Sequence, residues 1–272
     1  MQLFVGFLLA LIIAFLAFRA HSLSRNGAYA AALVGTIIFG LGGWQWAVLL
    51  LTFFITSSIL THAFARRKAV LHEKFEKGGQ RDKSQVLANG AIASLFAGLH
   101  FFFPQVDWPW MLFAASLAAV TADTWATELG VLNPTPPRMI TNGRLVENGT
   151  SGAISAWGTL SALAGAALIA VLAAALAPSA IHLPVPAFIL VLAITPLAGL
   201  LGALFDSLLG ATVQAIYRCP QCEKETERHP IHTCGTMTIQ IRGWKWFNND
   251  MVNLACAGMG AMIGFLFMAA IF

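Results

Sequence analysis

The chain has 272 residues, of which 58% are hydrophobic and 10% are charged, and its formal net charge is +4. A water-soluble domain carries about 25% charged residues, so this composition excludes an ordinary soluble protein. The long apolar stretches indicate a polytopic membrane protein instead, because a membrane-spanning helix needs roughly 20 mainly apolar residues.

The apolar stretches predict an all-α membrane helix bundle of about eight spans, forming a single membrane-embedded domain over residues 1–272. The first stretch is expected to be a retained span, since no small-residue cleavage site follows it. The second is short enough to be tilted or re-entrant. In chain order the predicted spans are 3–19, 28–43, 44–63, 86–103, 109–129, 151–176, 186–210 and 251–271.

The basic residues predict the orientation of the bundle. Placing the Arg- and Lys-rich loop 64–85 in the cytoplasm puts loops 19–27, 130–150 and 211–250 on the same side, together with all 16 Lys and Arg residues. The positive-inside rule requires such a segregation. Both termini are then expected outside the cell membrane, and the active face is expected to be cytoplasmic. The positive charge therefore needs no nucleic acid partner, and membrane lipids and phosphate groups are the expected partners.

Two acidic residues lie inside predicted spans, near their cytoplasmic ends: Asp123 in ADTWATELG and Asp206 in GLLGALFDSLLGA. An ionised carboxylate in a bilayer is costly unless it is paired or binds a metal, and the helix dipole adds to that cost. Two interpretations remain open: the acids bind a metal or substrate, or they form buried salt bridges that hold the bundle together. Helical spacing puts Thr127 on the face of Asp123, whereas Glu128 lies about 140° away.

Two donor-rich loops adjoin the spans. Loop 136–155 contains Arg138 and Arg144, whose guanidinium groups suit bidentate phosphate binding. Asparagine recurs near the cytoplasmic helix starts, where free backbone N–H groups favour anions. The alternative is that these are ordinary charged loops and interfacial anchors. The candidate phosphate-binding residues are Lys83, Asn89, Arg138, Thr141, Asn148, Gly149, Thr150, Asn249 and Asn253.

The predicted cytoplasmic loop 211–250 contains three of the four cysteines. Three thiolates and a histidine at this spacing can complete a tetrahedral site for structural Zn²⁺. A cluster of reduced thiols and a redox site are the alternatives. The fourth cysteine, Cys256, lies in the last span and is expected to be a packing residue. The candidate zinc ligands are Cys219, Cys222, His232 and Cys234.

The chain resembles the integral-membrane family that includes plant phytyl-phosphate kinase. Five motifs carry this resemblance, in the order ADTWATELG, PPRMITNGRLVENGTSGAIS, GALFDSLLGA, CxxC-to-HxCG and RGWKWFNNDMVN. The resemblance runs from Ser24 to the C-terminus. More distantly, ADTW, RLVENGT and GALFDSL resemble motifs of dolichol kinases and CDP-diacylglycerol synthases. They depart from the synthases in the third motif, where Ala203 stands for Asp and Asp206 for Glu.

The resemblance implies a CTP-dependent isoprenyl-phosphate kinase that converts a phytyl-, geranylgeranyl- or farnesyl-type monophosphate into the diphosphate. We hypothesise that Asp123, Asp206 and Arg144 are catalytic, and that Asp250 joins the two acids in binding Mg²⁺. A membrane cytidylyltransferase acting on a lipid phosphate and a transporter of small solutes or lipids are the alternatives. The isoprenoid chain length and the oligomeric state stay open.

Overall fold

The structure, a computed structural model, describes residues 1–64, 74, 79–177 and 185–271. In these ranges the chain forms eight α-helices, and the second continues into a π-helix at Ile38–Gly42. The helices are α1 (Gln2–Arg19), α2 (Arg25–Ile37), α3 (Trp44–Ala63), α4 (Lys83–Phe102), α5 (Trp108–Gly130), α6 (Ala156–Ala175), α7 (Val185–Thr212) and α8 (Asn249–Ile271).

Side-chain caps set several helix starts. Asp82 and Gln85 form a capping box at the start of α4. Ser155 Oγ accepts a hydrogen bond from the backbone N–H of Gly158 at 3.1 Å, so α6 begins at Ala156 and not at the predicted position 151. Asparagine caps the start of α8, where Asn248 Oδ1 accepts a first-turn N–H at 3.2 Å.

The expected all-α membrane fold is confirmed. Six helices of the described chain, α1, α3, α4, α6, α7 and α8, are long and apolar enough to cross a membrane. Helix α2 has 13 residues before its π-helical continuation. Helix α5 has 23 residues but carries Asp123 and Glu128. The count of eight spans and the position of the termini stay predictions.

Helix α5 is the centre of the bundle and packs against α3, α4, α6, α7 and α8. Its residues from Pro109 to Ala122 are all buried. Small residues let the neighbouring backbones come close to it. A Cβ built at Gly202 of α7 or at Gly260 of α8 would lie 2.6 Å from Ala119 Cβ of α5. Transmembrane helices associate through such close van der Waals packing, because lipid provides no hydrophobic drive between them.

A second group of helices lies beside this centre. Helix α1 packs mainly against α2 and the π-helix, and α4 joins α2 to α5. Helix α1 exposes large apolar side chains such as Phe4, Phe15 and Leu16. Exposed apolar side chains along a membrane helix are expected where it faces lipid.

Short strands in the loops were not expected from the sequence. One antiparallel pair joins β1 (Arg138–Met139) to β2 (Ala153–Ile154). A three-stranded antiparallel sheet places β3 (Ile216–Arg218) between β4 (Glu225–Thr226) and β5 (Ile239–Arg242). These hydrogen bonds shape the two long polar loops, which lack the apolar length for a helix.

The described parts of the four loops predicted to be cytoplasmic meet at one end of the bundle. The backbone N–H of Ser24 donates to the carbonyl of Arg81 at 3.0 Å. Lys74 Nζ donates to Glu147 Oε2 at 2.8 Å, and the Lys74 carbonyl accepts from the N–H of Glu227 at 2.8 Å. The shared end is therefore a property of the fold, while its cytoplasmic orientation stays a prediction.

Candidate active site

A polar cavity of about 400 Å³ opens among the loops at this end of the bundle. The ends of α5 and α7, the first turns of α4 and α8, and the segment 148–155 form its walls. Both intramembrane acids predicted from the sequence, Asp123 and Asp206, line it. They belong to different helices. The sequence related them only because a carboxylate is costly in either apolar span.

The packing below the cavity explains why the two acids face it together. Ala119 of α5 and Gly202 of α7 are in close contact, as described above. Asp123 and Asp206 each follow these residues by four positions, and residues four apart lie on the same helix face. The close contact of α5 and α7 therefore brings both carboxylates to the same wall, one turn above it.

The two carboxylates form no ion pair with a cationic side chain among the described residues. Neither side chain has a hydrogen bond or ion pair within this part of the chain, and the buried Oδ2 of Asp206 has no hydrogen-bond partner there. The negative charges of Asp123 and Glu227 also act on Asp206. Glu227 lines the same cavity. Acids gathered in this way call for a bound cation.

The end of α5 presents a wider polar surface than the helical wheel predicted. Thr124 and Thr127 line the cavity beside Asp123, as their spacing suggests. Glu128 lines it as well, because the cavity extends around the end of the helix. The Glu128 carboxylate accepts a hydrogen bond from Thr61 Oγ1 at 2.8 Å.

Arg81 brings a positive charge to the cavity wall. Its Nη1 donates to Ser58 Oγ at 3.1 Å, and its guanidinium lies 5.6 Å from the Phe53 ring centroid. Burial lowers the pKa of Arg81 to about 10, and the charge of Glu128 acts in the opposite direction. The group therefore stays cationic at neutral pH. Lys83, which was predicted from the sequence to bind phosphate, is exposed and is not among the residues that line the cavity.

The predicted donors of segment 148–150 reach the cavity. Asn148, Gly149 and Thr150 all line it. Gly149 and Gly152 have φ values of 77° and 84°, a backbone conformation that favours glycine. Three asparagines from two helices, Asn89, Asn249 and Asn253, line the cavity from the other walls.

Other predicted site residues lie outside the cavity lining. Arg138, Thr141 and Arg144 are exposed in the hairpin between α5 and α6. Arg138 Nη1 donates to the carbonyl of Gly143 at 2.9 Å and so helps to shape that hairpin. Asp250 is buried in the first turn of α8. The roles assigned to these residues stay predictions.

A hydrogen-bonded chain that the sequence did not reveal joins two cavity walls. Ser151 Oγ donates to Gln214 Oε1 at 2.6 Å, and Gln214 Nε2 donates to Glu227 Oε1 at 2.9 Å. All three residues line the cavity. Their positions in the sequence follow no recognisable motif, because separate loops supply them.

A second group of possible ligands lies beyond the cavity, in the loop between α7 and α8. Their ligand atoms all lie within 4.8 Å of one another. All of the cysteines are free thiols. Hydrogen bonding to Thr236 and His232 lowers the pKa of Cys234 to about 6, whereas hydrogen bonding to Cys234 raises the pKa of Cys222 to about 11. The cysteine–histidine cluster consists of Cys219, Cys222, His232 and Cys234.

Fold and site together define a multi-pass integral membrane protein with an acid-lined cavity at one end of a helix bundle. Residues 8–261 match the family described as Integral membrane protein DUF92. The chain belongs to this family, and the membership of an integral-membrane family expected from its motifs is confirmed. No solved structure matches the chain significantly.

The chain is also similar to proteins from a plant and an archaeon. The chain is 34% identical to Protein PGR of Arabidopsis thaliana over 232 residues, which cover 78% of this chain and 79% of that protein. It is 35% identical to an uncharacterized membrane protein of Methanocaldococcus jannaschii over 168 residues, 62% of this chain and 68% of that protein. It is 25% identical to Protein VTE6, chloroplastic, of Arabidopsis thaliana over 250 residues, 90% of this chain and 65% of that protein.

Proposed function

We propose that this protein is a CTP-dependent isoprenyl-phosphate kinase that makes a prenyl diphosphate from a phytyl-, geranylgeranyl- or farnesyl-type monophosphate. The observation that carries the proposal is the position of Asp123 and Asp206, which line one polar cavity in a membrane bundle without a partner among the described residues. The similarity to VTE6 and the resemblance to plant phytyl-phosphate kinase support the reaction class.

The donor set of the cavity fits Mg²⁺. Magnesium prefers carboxylate oxygens and shares its coordination sphere with the phosphates of the substrate. Asp123 and Asp206 would hold the ion, and the buried Oδ2 of Asp206, which has no hydrogen-bond partner among the described residues, is free to bind it. The bound ion would supply charge neutralisation at the oxygens of the phosphoryl group during transfer.

The polar residues of the cavity can hold two phosphate-bearing molecules. Arg81 and Asn89 lie on the wall nearest α2 and α3 and would bind the lipid phosphate. Asn148, Thr150 and Asn249 line other walls and would orient the nucleotide phosphates. A monophosphate oxygen would attack the γ-phosphorus of CTP, and the bond to the β-phosphate oxygen would break to release CDP. The nucleophile is already ionised at neutral pH, so no strong general base is required.

A neighbouring apolar groove supports a lipid substrate. The groove lies among α1, α2, α3 and α4 and is lined by residues such as Ala14, Ala31 and Phe54. Arg81 and Asn89 are the only polar residues among its described lining, and both also line the polar cavity. A molecule with a phosphate at this junction and an apolar tail along the groove would match both surfaces.

The test is CTP turnover by purified protein with prenyl monophosphates of several chain lengths. We expect CDP and the prenyl diphosphate in equal amounts, with Mg²⁺ required. Ala31→Phe should raise the KM for the prenyl phosphate and leave the KM for CTP unchanged, because it fills the groove. Ala164→Phe, on the exposed side of α6, is the matched control. Release of diphosphate would indicate a cytidylyltransferase, and absence of turnover with every substrate would refute the proposal.

A further inference from the structure

The cysteine–histidine cluster has the dimensions of a metal site. Cys219 Sγ and Cys234 Sγ lie 3.5 Å apart, and Cys234 Sγ lies 3.3 Å from His232 Nδ1. In a tetrahedral zinc site with Zn–S bonds of about 2.3 Å, two sulfur ligands are separated by roughly 3.8 Å. The observed separation of the two sulfur atoms is therefore close to that in an occupied zinc site. We infer that it binds one structural Zn²⁺.

Two tight turns present the four ligands. In the first, the N–H of Cys222 points at Cys219 Sγ at 3.5 Å, and the N–H of Glu223 donates to the Cys219 carbonyl at 2.9 Å. In the second, the N–H of Gly235 donates to the His232 carbonyl at 2.9 Å, with Gly235 at a φ of 86°. Each turn supplies two ligands; β3 pairs with β4 across the first turn, and a bridge between Ile231 and Met237 closes the second.

Burial and charge favour an ion over a cluster of thiols. Cys219 is fully buried and His232 is 3% exposed. The buried Nε2 of His232 has no hydrogen-bond partner in the described chain, so no contact at that atom fixes the ring. Binding of an ion by Nδ1 would fix the orientation of the His232 ring. Three sulfur atoms this close repel one another as thiolates, and Zn²⁺ removes that repulsion while keeping all of them deprotonated.

The cluster includes a turn that leads to the cavity wall, so a bound ion would stabilise that part of the wall. The N–H of Cys219 donates to the carbonyl of Lys224 at 3.0 Å, and this turn leads into β4. The residue after β4 is Glu227, which lines the acidic cavity. Zinc at the cluster would fix the β3–β4 turn and so hold Glu227 at the cavity wall. The site would be closed and structural, because the protein supplies all four ligands.

Metal content of the full-length protein, purified in detergent without added chelator, tests the inference. We expect close to one zinc per chain in the wild type and a loss of most of it in Cys222→Ser. Cys256→Ala is the matched control, because it removes a buried cysteine in α8 outside the cluster, and it should keep its zinc. Zinc-free wild type that takes up none on addition, or Cys222→Ser with undiminished zinc, would overturn the inference.

A second measurement covers a variant that fails to fold. Wild-type protein exchanged with Co²⁺ should show the absorption bands of tetrahedral cobalt with thiolate ligands. Removal of the metal should also speed tryptic cleavage between Cys222 and Cys234, where Lys224 and Arg228 lie. Absence of thiolate–cobalt bands in folded protein would count against the site. These readouts need no substrate, so they stay independent of the proposed kinase activity.

Discussion

Gln214 Nε2 donates a hydrogen bond to Glu227 Oε1 at 2.9 Å, which ties the segment after α7 to the segment after β4. The Gln214 side chain is 2% exposed, and its oxygen accepts the bond from Ser151 at 2.6 Å. Both halves of one buried amide are therefore used to join two cavity walls. A buried polar group left unpaired costs more than its hydrogen bond contributes.

Replacing Gln214 should loosen the cavity walls. Gln214→Leu removes both hydrogen bonds and leaves the partner groups of Ser151 and Glu227 without them. We expect a loss of about 1–3 kcal/mol in the free energy of unfolding, measured as a lower melting temperature in detergent. Gln105→Leu, at an exposed position at the other end of the bundle, should melt with the wild type. Equal melting of both variants would show that the network contributes nothing.

Neutralising the intramembrane acids should abolish turnover without unfolding the protein. If the two acids bind Mg²⁺ as proposed, Asp123→Asn and Asp206→Asn should keep their fold, because the ion would not bind, and added Mg²⁺ should restore little activity. If a buried arginine were the partner, the same change would strand its charge and cost about 3–5 kcal/mol. Turnover and melting temperature, measured together with Asp107→Asn as the control, separate these cases. Stable and fully active variants would contradict both.

Arg81 and Arg144 should affect different substrates. Arg81 lies where the cavity meets the apolar groove, so Arg81→Lys should raise the KM for the prenyl phosphate. Arg144 lies on the hairpin that also carries Asn148 and Thr150, so Arg144→Ala should raise the KM for CTP. A lost charge-assisted hydrogen bond costs about 1.5–3 kcal/mol, which is tenfold or more. Unchanged kinetics in Arg144→Ala would leave this arginine as a positive-inside anchor.

The sequence could reveal the acids but not their surroundings. Asp123 and Asp206 stand out because a carboxylate in an apolar span is costly wherever the helices go. The choice between Arg81 and Lys83 depends on which side chain points into the bundle, and two neighbouring basic residues in a loop do not show that. Gln214 carries no charge, and its partner Glu227 belongs to a different turn of the loop. Tertiary contacts that join separate loops leave no local pattern.

Helix boundaries could be predicted where the length of an apolar stretch alone determines them. Apolar length fixes helices such as α1 and α3, whose ends agree with the predicted spans to within one residue. The start of α6 was missed because residues 151–155 contain two serines and Gly152, which suit both a helix end and a hairpin. Pairing of β2 with β1 decides between the two.

Two glycines with similar backbone conformations should differ in their tolerance of alanine. Gly152 has a φ of 84°, and a Cβ there would collide with the backbone of Ala211. Gly143 has a φ of 68°, and no atom of the described residues lies within 4 Å of such a Cβ. Gly143→Ala should cost only the strain of the left-handed conformation, about 1–2 kcal/mol. Gly152→Ala should lower the melting temperature further and displace segment 148–152 from the cavity, with loss of turnover.

Cysteine labelling should establish the orientation of the bundle. A cysteine at Gln105 should react with an impermeant reagent added to intact cells, whereas one at Arg144 should react only after permeabilisation. The two positions lie at opposite ends of α5, which makes them an internal comparison. Labelling of position 144 from outside would reverse the predicted topology and place the acidic cavity on the outer face.

Backbone contact at Gly202 and Gly260 also determines how the protein responds to the thickness of its bilayer. Helices accommodate a mismatch in hydrophobic length mainly by tilting. Helices α5, α7 and α8 are in close contact where Gly202 and Gly260 meet Ala119, so we expect them to tilt as one body. Helix α1 packs mainly on α2 and the π-helix, and it can adjust separately. We therefore expect direct helix–helix packing to determine the separation of the two acids, which should stay the same in lipids of different chain length.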